Sequence, residues 1–377
     1  MRMRRSLAAS AVIVVGLALA ACTKDETGGP ANTDASNPYR QATWTTGGPI
    51  DYSKFDMSGE EVIWADFGGT VHEDFKKAYL DDFAKLTKAT VSDGSPFDYA
   101  QVKAQVESKN IQYDIITGAP TSIDQGCGTL YEEVPDAKFN WAGIDDKFKS
   151  SKCSVPHGTT ALMLQYNTNK YKDNPPKTCA DFFDLAKYPG TRGMWTSVLG
   201  YPLEIALLAD GVAPASMYPI DYDRAFRKLD SIRSNLRLFP DLTRGQQGQA
   251  NQEYDMIIQT SVRGYRGAKD KLPYAPVWGC AVGQVTALGI LKGTPRLDAA
   301  LALVGYASSP DGQRKGASVR ASSPVSKDTD LPDIDPLMKN YIGAFHESEM
   351  PIPVVDAKWW SQNFDNAEQR FQQWQVG

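Results

Sequence analysis

Val62-Ile63-Trp64-Ala65, then Gly68-Gly69-Thr70, then Phe75, Tyr79, Phe83 and Leu86 at helical spacing, is the stretch that decides the fold. The first four residues are a short, nearly continuous apolar run, which reads as a strand, and the glycines mark the turn that leaves it. The helix is expected from about Glu73 to Ala89, with the acids Glu73 and Asp74 in its first turn, where the dipole favours them. Val91 opens the next strand. A further helix over Tyr99 to Ser108 leads into Tyr113-Asp114-Ile115-Ile116-Thr117, a buried-strand pattern ended by Gly118 and Pro120. Strand, helix and strand in this order predict an α/β fold, with a parallel sheet covered by helices on both faces.

Further along, a second region of the same kind starts near Val155. Ala161 to Tyr166 is an apolar strand, Thr178 with Asp181 approximates a capping box, and Gly193-Met194-Trp195 follows the Pro189-Gly190 turn. Helices are expected over Leu203 to Ala209 and Asp221 to Ile232, with strands at Met256-Ile257-Ile258 and Val282 to Leu291. Gly264, Gly267 and Pro273 loosen the piece between those strands. Pro295 to Ala307 reads as an amphipathic helix stopped by Ser308-Ser309-Pro310. In the tail, Trp360, Phe364, Ala367, Phe371 and Trp374 recur at steps of four, three, four and three, so this helix buries one stripe against its own domain.

Towards the N-terminus the chain changes character. Arg2, Arg4 and Arg5 precede a short apolar run from Ala11 to Ala21, and Leu19-Ala20-Ala21-Cys22 closes it with small residues. A basic flank, a run far below the ~20 residues of a spanning helix and a small-residue end read as an export signal. The cysteine resembles that of a bacterial lipobox, which implies a signal peptide over 1–21, lipid on Cys22 and anchoring on the extracytoplasmic face of the cell membrane. Thr23 to Asn37 is polar with almost no apolar side chain, and residues 22–56 are expected to be a flexible linker. The 377 residues exceed one typical core and suit two lobes; a net charge of −5 without a basic block disfavours nucleic acid as a partner. Apart from Cys22 there are four cysteines, Cys127, Cys153, Cys179 and Cys280, an even number in a compartment where disulfides persist. Three pairings are possible; proximity in sequence favours Cys127 with Cys153, leaving Cys179 with Cys280. Their spacing, with only three histidines in the chain, does not suggest a metal site, and no cofactor is expected.

Trp64-Ala65-Asp66-Phe67-Gly68-Gly69, Val155-Pro156 leading to Tyr166-Asn167-Thr168, Cys179-Ala180-Asp181-Phe182-Phe183-Asp184 and Tyr188-Pro189-Gly190-Thr191-Arg192-Gly193 occur in an order that resembles the extracellular solute-binding proteins of bacterial ABC importers, spermidine/putrescine-binding type. Ala209-Asp210-Gly211-Val212 and Ala307-Ser308-Ser309-Pro310-Asp311-Gly312-Gln313 extend the likeness, which runs from about Glu60 to the C-terminus. The resemblance implies a periplasmic-binding-protein-like type II fold: two α/β lobes, a hinge, an interlobe cleft for solute, and a closed form presented to a membrane permease. By similarity, lobe 1 would hold residues 57–160 and 260–323, and lobe 2 residues 161–259 and 324–377, in a monomer.

Loops at strand ends supply the cleft candidates. Phe67, Gly69 and Thr70 follow the first strand; His72, just beyond, fits an exposed surface position better. Thr117 and Thr121 flank the end of the Tyr113 strand and offer hydroxyls. Trp195, Thr196, Ser197 and Tyr201 stand where the similar proteins place ligand contacts, followed by Gln259, Thr260 and Arg263 after the Met256 strand. Trp278 is a further candidate that fits a core position equally well. Polyamine binders of the group resemble aromatic boxes with acids that pair with amines, whereas this chain has Trp195-Thr196-Ser197 and Gln259-Thr260-Ser261-Val262-Arg263 at the corresponding places. A buried ammonium needs a carboxylate or an aromatic face. Arg263, Arg266 and His157, with the hydroxyls of Thr196, Ser197 and Thr260, would instead suit a carboxylate or a neutral polar solute, so the solute class stays open. The alternative from another class is an exported hydrolase using carboxylates such as Glu204 and Asp255, although no hydrolase motif singles them out.

Overall fold

The computed structural model describes residues 50–331 and 334–377; the expected export signal, Cys22 and the expected linker up to residue 49 lie outside them. In chain order the strands are β1 (Glu61–Ala65), β2 (Thr90–Asp93), β3 (Ile115–Gly118), β4 (Val155–Asn167), β5 (Arg192–Trp195), β6 (Leu236–Phe239), β7 (Met256–Thr260) and β8 (Tyr274–Ile290). They form one mixed sheet in the order β2-β1-β3-β8-β4-β7-β5-β6. β1 runs parallel to β2 and β3, and β5 parallel to β6 and β7. β8 is antiparallel to β3, and β4 is antiparallel to both β7 and β8. Each half of the sheet therefore has three parallel strands, one antiparallel strand and then a strand lent by the other half. The 13-residue β4 and the 17-residue β8 belong to both halves and cross between them. This is the expected arrangement of two α/β lobes joined at a hinge, in the type II topology.

Helices cover the sheet: α1 (Thr70–Phe75), α2 (Asp81–Thr87), α3 (Tyr99–Ser108), α4 (Pro120–Gln125), α5 (Cys179–Phe183), α6 (Pro202–Ala209) and α7 (Tyr222–Asp230) in the first part of the chain. Then come α8 (Leu242–Ala250), α9 (Ser261–Lys269), α10 (Leu297–Ala307), α11 (Pro310–Arg320), α12 (Pro336–Lys339) and α13 (Ala357–Val376). The helix expected over Glu73 to Ala89 starts three residues earlier and is divided by a π turn at Lys76–Leu80, so α1 and α2 form one bent rod. Asp98 caps α3 by accepting from Ala100 N, and Asp181 accepts from Thr178 N at 3.0 Å and Lys177 N at 2.8 Å ahead of α5. The tail stripe is buried as its spacing requires, with Trp360, Ala367 and Phe371 fully enclosed.

Two large cores fill the lobes. One packs Trp64, Phe75, Tyr79 and Phe83 with Leu288 and α10; the other packs Leu162, Met194, α6 and α7 against α13. Tyr52 and Phe55 lie within the expected linker, yet both are buried in the first core, with Tyr52 edge-on to Phe83 and Tyr306. α9 runs with the second half, as do Val277, Cys280 and Val282, all within the 260–323 stretch that the resemblance assigned to the first lobe. Cys127 is bonded to Cys153 and Cys179 to Cys280, the pairing that sequence proximity favoured.

Candidate functional site

Four connectors leave the carboxyl ends of parallel strands and begin helices: β1 to α1, β3 to α4, β5 to α6 and β7 to α9. Two come from each lobe, and they meet at the β4–β8 crossing. In open α/β sheets such strand ends form the usual binding crevice, lined by helix N-termini. Register puts Thr160 and Leu162 on the same face as Gln284 and Val282. Gln284 Nε2 donates to Thr160 Oγ1 and Gln284 Oε1 accepts from the Tyr201 hydroxyl, both at 3.3 Å. At the start of α9, Ser261 Oγ accepts from the backbone N–H of Ala161. The lobes also touch on two sides, where Arg266 of α9 pairs with Asp74 of α1, and Gln125 of α4 donates to the Ser361 carbonyl of α13 at 3.3 Å.

The first connector is shaped by Asp66, which is fully buried. Its Oδ1 accepts from Gly68 N at 2.8 Å, and its Oδ2 lies 2.9 Å from His72 Nδ1. Gly68 (φ 71°) and Gly69 (φ 60°) take left-handed conformations that a larger residue resists, and they allow the chain to fold back onto Asp66. His72 is thus a buried partner of Asp66 and not an exposed surface histidine. Phe67 stays 57% exposed beside Phe97, and the Thr70 carbonyl accepts from Arg266 Nη2 at 3.1 Å. On the second connector, the hydroxyls of Thr117 and Thr121 are buried with no hydrogen-bond partner among the described residues.

In the third connector most polar groups turn inward. Trp195 Nε1 donates to the Pro240 carbonyl at 3.1 Å, and the Thr196 hydroxyl points to the same oxygen at 3.4 Å. Ser197 Oγ and Val198 N both donate to Glu368 of α13. Tyr201, in a left-handed conformation (φ 51°), is buried with its ring 5.9 Å from Trp360. In the fourth connector, Gln259 is held by the Leu242 carbonyl and by Thr260 N, and Thr260 Oγ1 caps α9 by accepting from Arg263 N. The Arg263 guanidinium donates to Gln246 Oε1 and Thr243 Oγ1 of its own lobe; burial, helped by Arg266, lowers its pKa to about 10.

Two candidates stand apart from the connectors. Trp278 packs with Ala161, Met163 and Met350 on the opposite face of the crossing, stacks on His346 at 4.7 Å and donates to the Asn340 carbonyl. It is a core residue. His157 is enclosed in the first lobe between Phe75 and Tyr79. The carboxylates weighed for hydrolysis are not brought together: Asp255 precedes β7, at the end away from the crossing, 2.8 Å from Lys170, while Glu204 lies in α6 bonded to Tyr218 and Trp360. Among the described residues no group of three or more His, Cys, Asp or Glu side chains is arranged to hold a metal. A cavity of about 780 Å³ lies beside Tyr52 and Tyr306, away from the connectors, and one of about 180 Å³ lies at the crossing against Thr159, Thr160 and Ser323. Gln284 and Thr160 were missed from sequence because nothing marks a polar pair in the middle of long apolar strands.

Residues 71–343 match the family described as bacterial extracellular solute-binding protein. The chain belongs to that family. Among its relatives, this solute-binding protein is 26% identical over 315 residues to the gamma-aminobutyric acid-binding protein of Pseudomonas aeruginosa, covering 82% of this chain and 89% of that one. A solved GABA receptor is 26% identical with a TM-score of 0.75 over 84% of this chain and 98% of its own. The binding protein MotA of A. tumefaciens B6, solved with glucopine, is 25% identical with a TM-score of 0.75 over 83% and 99%. The solute-binding protein is thus homologous to the receptors of ABC importers.

Proposed function

We propose that this protein is the extracytoplasmic receptor of an ABC import system, which captures a small amino-acid-like zwitterion of about the size of γ-aminobutyrate and presents the closed form to a membrane permease. The observation that carries the reading is the convergence of four strand-end connectors, two from each lobe, on one crossing. Closure over a ligand is the motion such an architecture allows. The lobes divide near residue 160 in β4 and residue 282 in β8, and export, cleavage ahead of Cys22 and lipidation there tether a monomeric receptor beside its permease, raising its effective concentration.

The zwitterion reading is supported by the two relatives named for GABA and by the chemistry of the connectors. A polyamine carries two or more ammonium groups, each needing a carboxylate or an aromatic face when buried. Asp66 is already engaged by Gly68 and His72, and Glu204 is fully buried and bonded to Tyr218 and Trp360. The hydroxyls of Thr117 and Thr121 suit a solute with acceptors.

Thermal shift with γ-aminobutyrate, other amino acids, putrescine and spermidine tests the reading. Saturating γ-aminobutyrate at one hundred times its Kd is expected to add about 2.7 kcal/mol of stability, with the compound recovered unchanged. A shift with polyamines alone would overturn the solute class, and consumption of the compound would overturn the receptor.

A further inference from the structure

A second polar constellation lies in the first lobe beside the crossing. Arg320 ends α11, three residues before Ser323, which bridges to Thr159 of β4. It is 5% exposed, its guanidinium lies 3.6 Å from the centre of the Phe75 ring, and its Nε and Nη1 have no hydrogen-bond partner among the described residues. Around the same Phe75 ring stand Trp64, His157 and Tyr79, with centroids at 5.5, 5.7 and 6.1 Å. Trp64 Nε1 and both nitrogens of His157 are equally buried and unpartnered, and the buried Tyr79 hydroxyl faces the Arg320 guanidinium.

Groups of this kind are rare in native interiors, where buried donors and acceptors find partners and the exceptions mark a missing water or ion. Here the charge is unbalanced as well. The carboxylate that acts on Arg320 is Asp74, and Asp74 is already bonded to Arg266 of the other lobe, so one acid stands between two guanidiniums. Stacking on Phe75 offsets only part of what an enclosed ion loses with its hydration. Burial and the neighbouring Arg320 charge hold the His157 pKa well below its usual 6.5, so His157 adds a neutral N–H and no second cation. The cluster is donor-rich and one negative charge short, which fits a single monoanionic group better than a phosphate dianion.

We propose that Arg320, with Tyr79 and His157, forms a monoanion site inside the first lobe beside the crossing and takes the carboxylate of the captured solute as the lobes close. The assignment to a solute rests on the receptor reading; the anion site itself does not. Arg320 is then the specificity-determining residue that separates an amino acid from its neutral amide.

The experiment is calorimetric titration of the full chain, Arg320→Gln and Tyr79→Phe with γ-aminobutyrate and with 4-aminobutanamide. The wild type is expected to prefer the acid at least tenfold, Arg320→Gln to lose that preference, and Tyr79→Phe to reduce it several-fold. A ratio between two ligands is insensitive to general loosening of the fold, and Tyr79→Phe decides if Arg320→Gln does not fold. An unchanged ratio in the variants overturns the proposal. Should the wild type bind neither compound, the zwitterion reading fails and crystals soaked in sodium bromide decide the site. A bromide at Arg320 that is lost in Arg320→Gln, or in Tyr79→Phe, supports it; bromide ordered only elsewhere overturns it.

Discussion

Burial pushes the Glu204 carboxyl up to about 7 from its usual 4.5, against the opposing effect of hydrogen bonds from its own backbone, Tyr218 and Trp360. An unfolded chain releases this proton near 4.5 and the folded chain near 7, so the folded state binds more protons in between. Stability from the neutral acid is therefore full below about 4.5 and is lost as pH rises to 7, a change of about 3 kcal/mol. His157 acts in the opposite sense: held well below 6.5 by burial and then by Arg320, it contributes stability above about 6.5 that is lost as pH falls. The two slopes oppose each other in the mildly acidic range. Glu204→Gln keeps an acceptor for Trp360 and Tyr218 while removing one slope, so relative to the wild type it should gain about 2.5 kcal/mol between pH 5 and pH 8. Urea denaturation of both proteins at the two pH values measures this, and a constant difference would mean that Glu204 is not a neutral buried acid.

At the level of elements, the disulfides do unequal work. Cys179–Cys280 joins α5 to β8 across 101 residues, whereas Cys127–Cys153 closes 26. Chain entropy alone assigns them about 4.7 and 3.5 kcal/mol. Replacing Cys179 and Cys280 together by alanine should lower stability by about 1 kcal/mol more than replacing Cys127 and Cys153, read from guanidinium midpoints of the two double variants; the reverse order would make native-state packing the larger effect. Elements with a local signature were legible in the sequence: β1 from its apolar run, α3 at its observed limits, α13 from its stripe. Those made by distant packing were not. β4 and β8 were read as six and ten residues, Ala161 to Tyr166 and Val282 to Leu291, although they run further at their N-terminal ends; a glycine inside a strand weakens the local pattern, yet a Cβ at Gly283 would sit 1.8 Å from the Pro353 carbonyl, so the glycine admits a neighbouring chain. α9 was missed for the same reason, since Gly264 lies against Gln165 and Tyr341. The site divides likewise. Strand-end loops were identifiable, but that Trp195, Ser197 and Arg263 direct their polar groups to Pro240, Glu368 and Gln246 depends on partners that no local pattern shows.

For the molecule as a whole, what matters is the balance between closed and open lobes. Besides β4 and β8, the chain passes between the lobes once more, from Ser323, which bridges to Thr159, to Ile352, which bridges to Val282. Away from this hinge the lobes are joined by few polar contacts: Arg266 with Asp74, Arg266 with the Thr70 carbonyl, and Gln125 with the Ser361 carbonyl. Part-exposed ion pairs of this kind contribute about 0–1 kcal/mol each, and they act beside the apolar packing of Tyr265 in α9 against Ala317 in α11 and the packing of α4 against α13. A ligand touching both lobes then shifts the population by its differential affinity for the closed form. Arg266→Ala removes two of the three contacts and leaves Asp74, whose pKa burial already raises, with Arg320 and Lys77 as its remaining cationic neighbours. The unliganded variant should open, with a larger radius of gyration in solution scattering, and γ-aminobutyrate affinity should fall by about three- to tenfold, the equivalent of roughly 1 kcal/mol of lost closure. Saturating ligand should return the scattering curve to that of the wild type. An unliganded variant as compact as the wild type with unchanged affinity would show that the hinge alone sets the closed state.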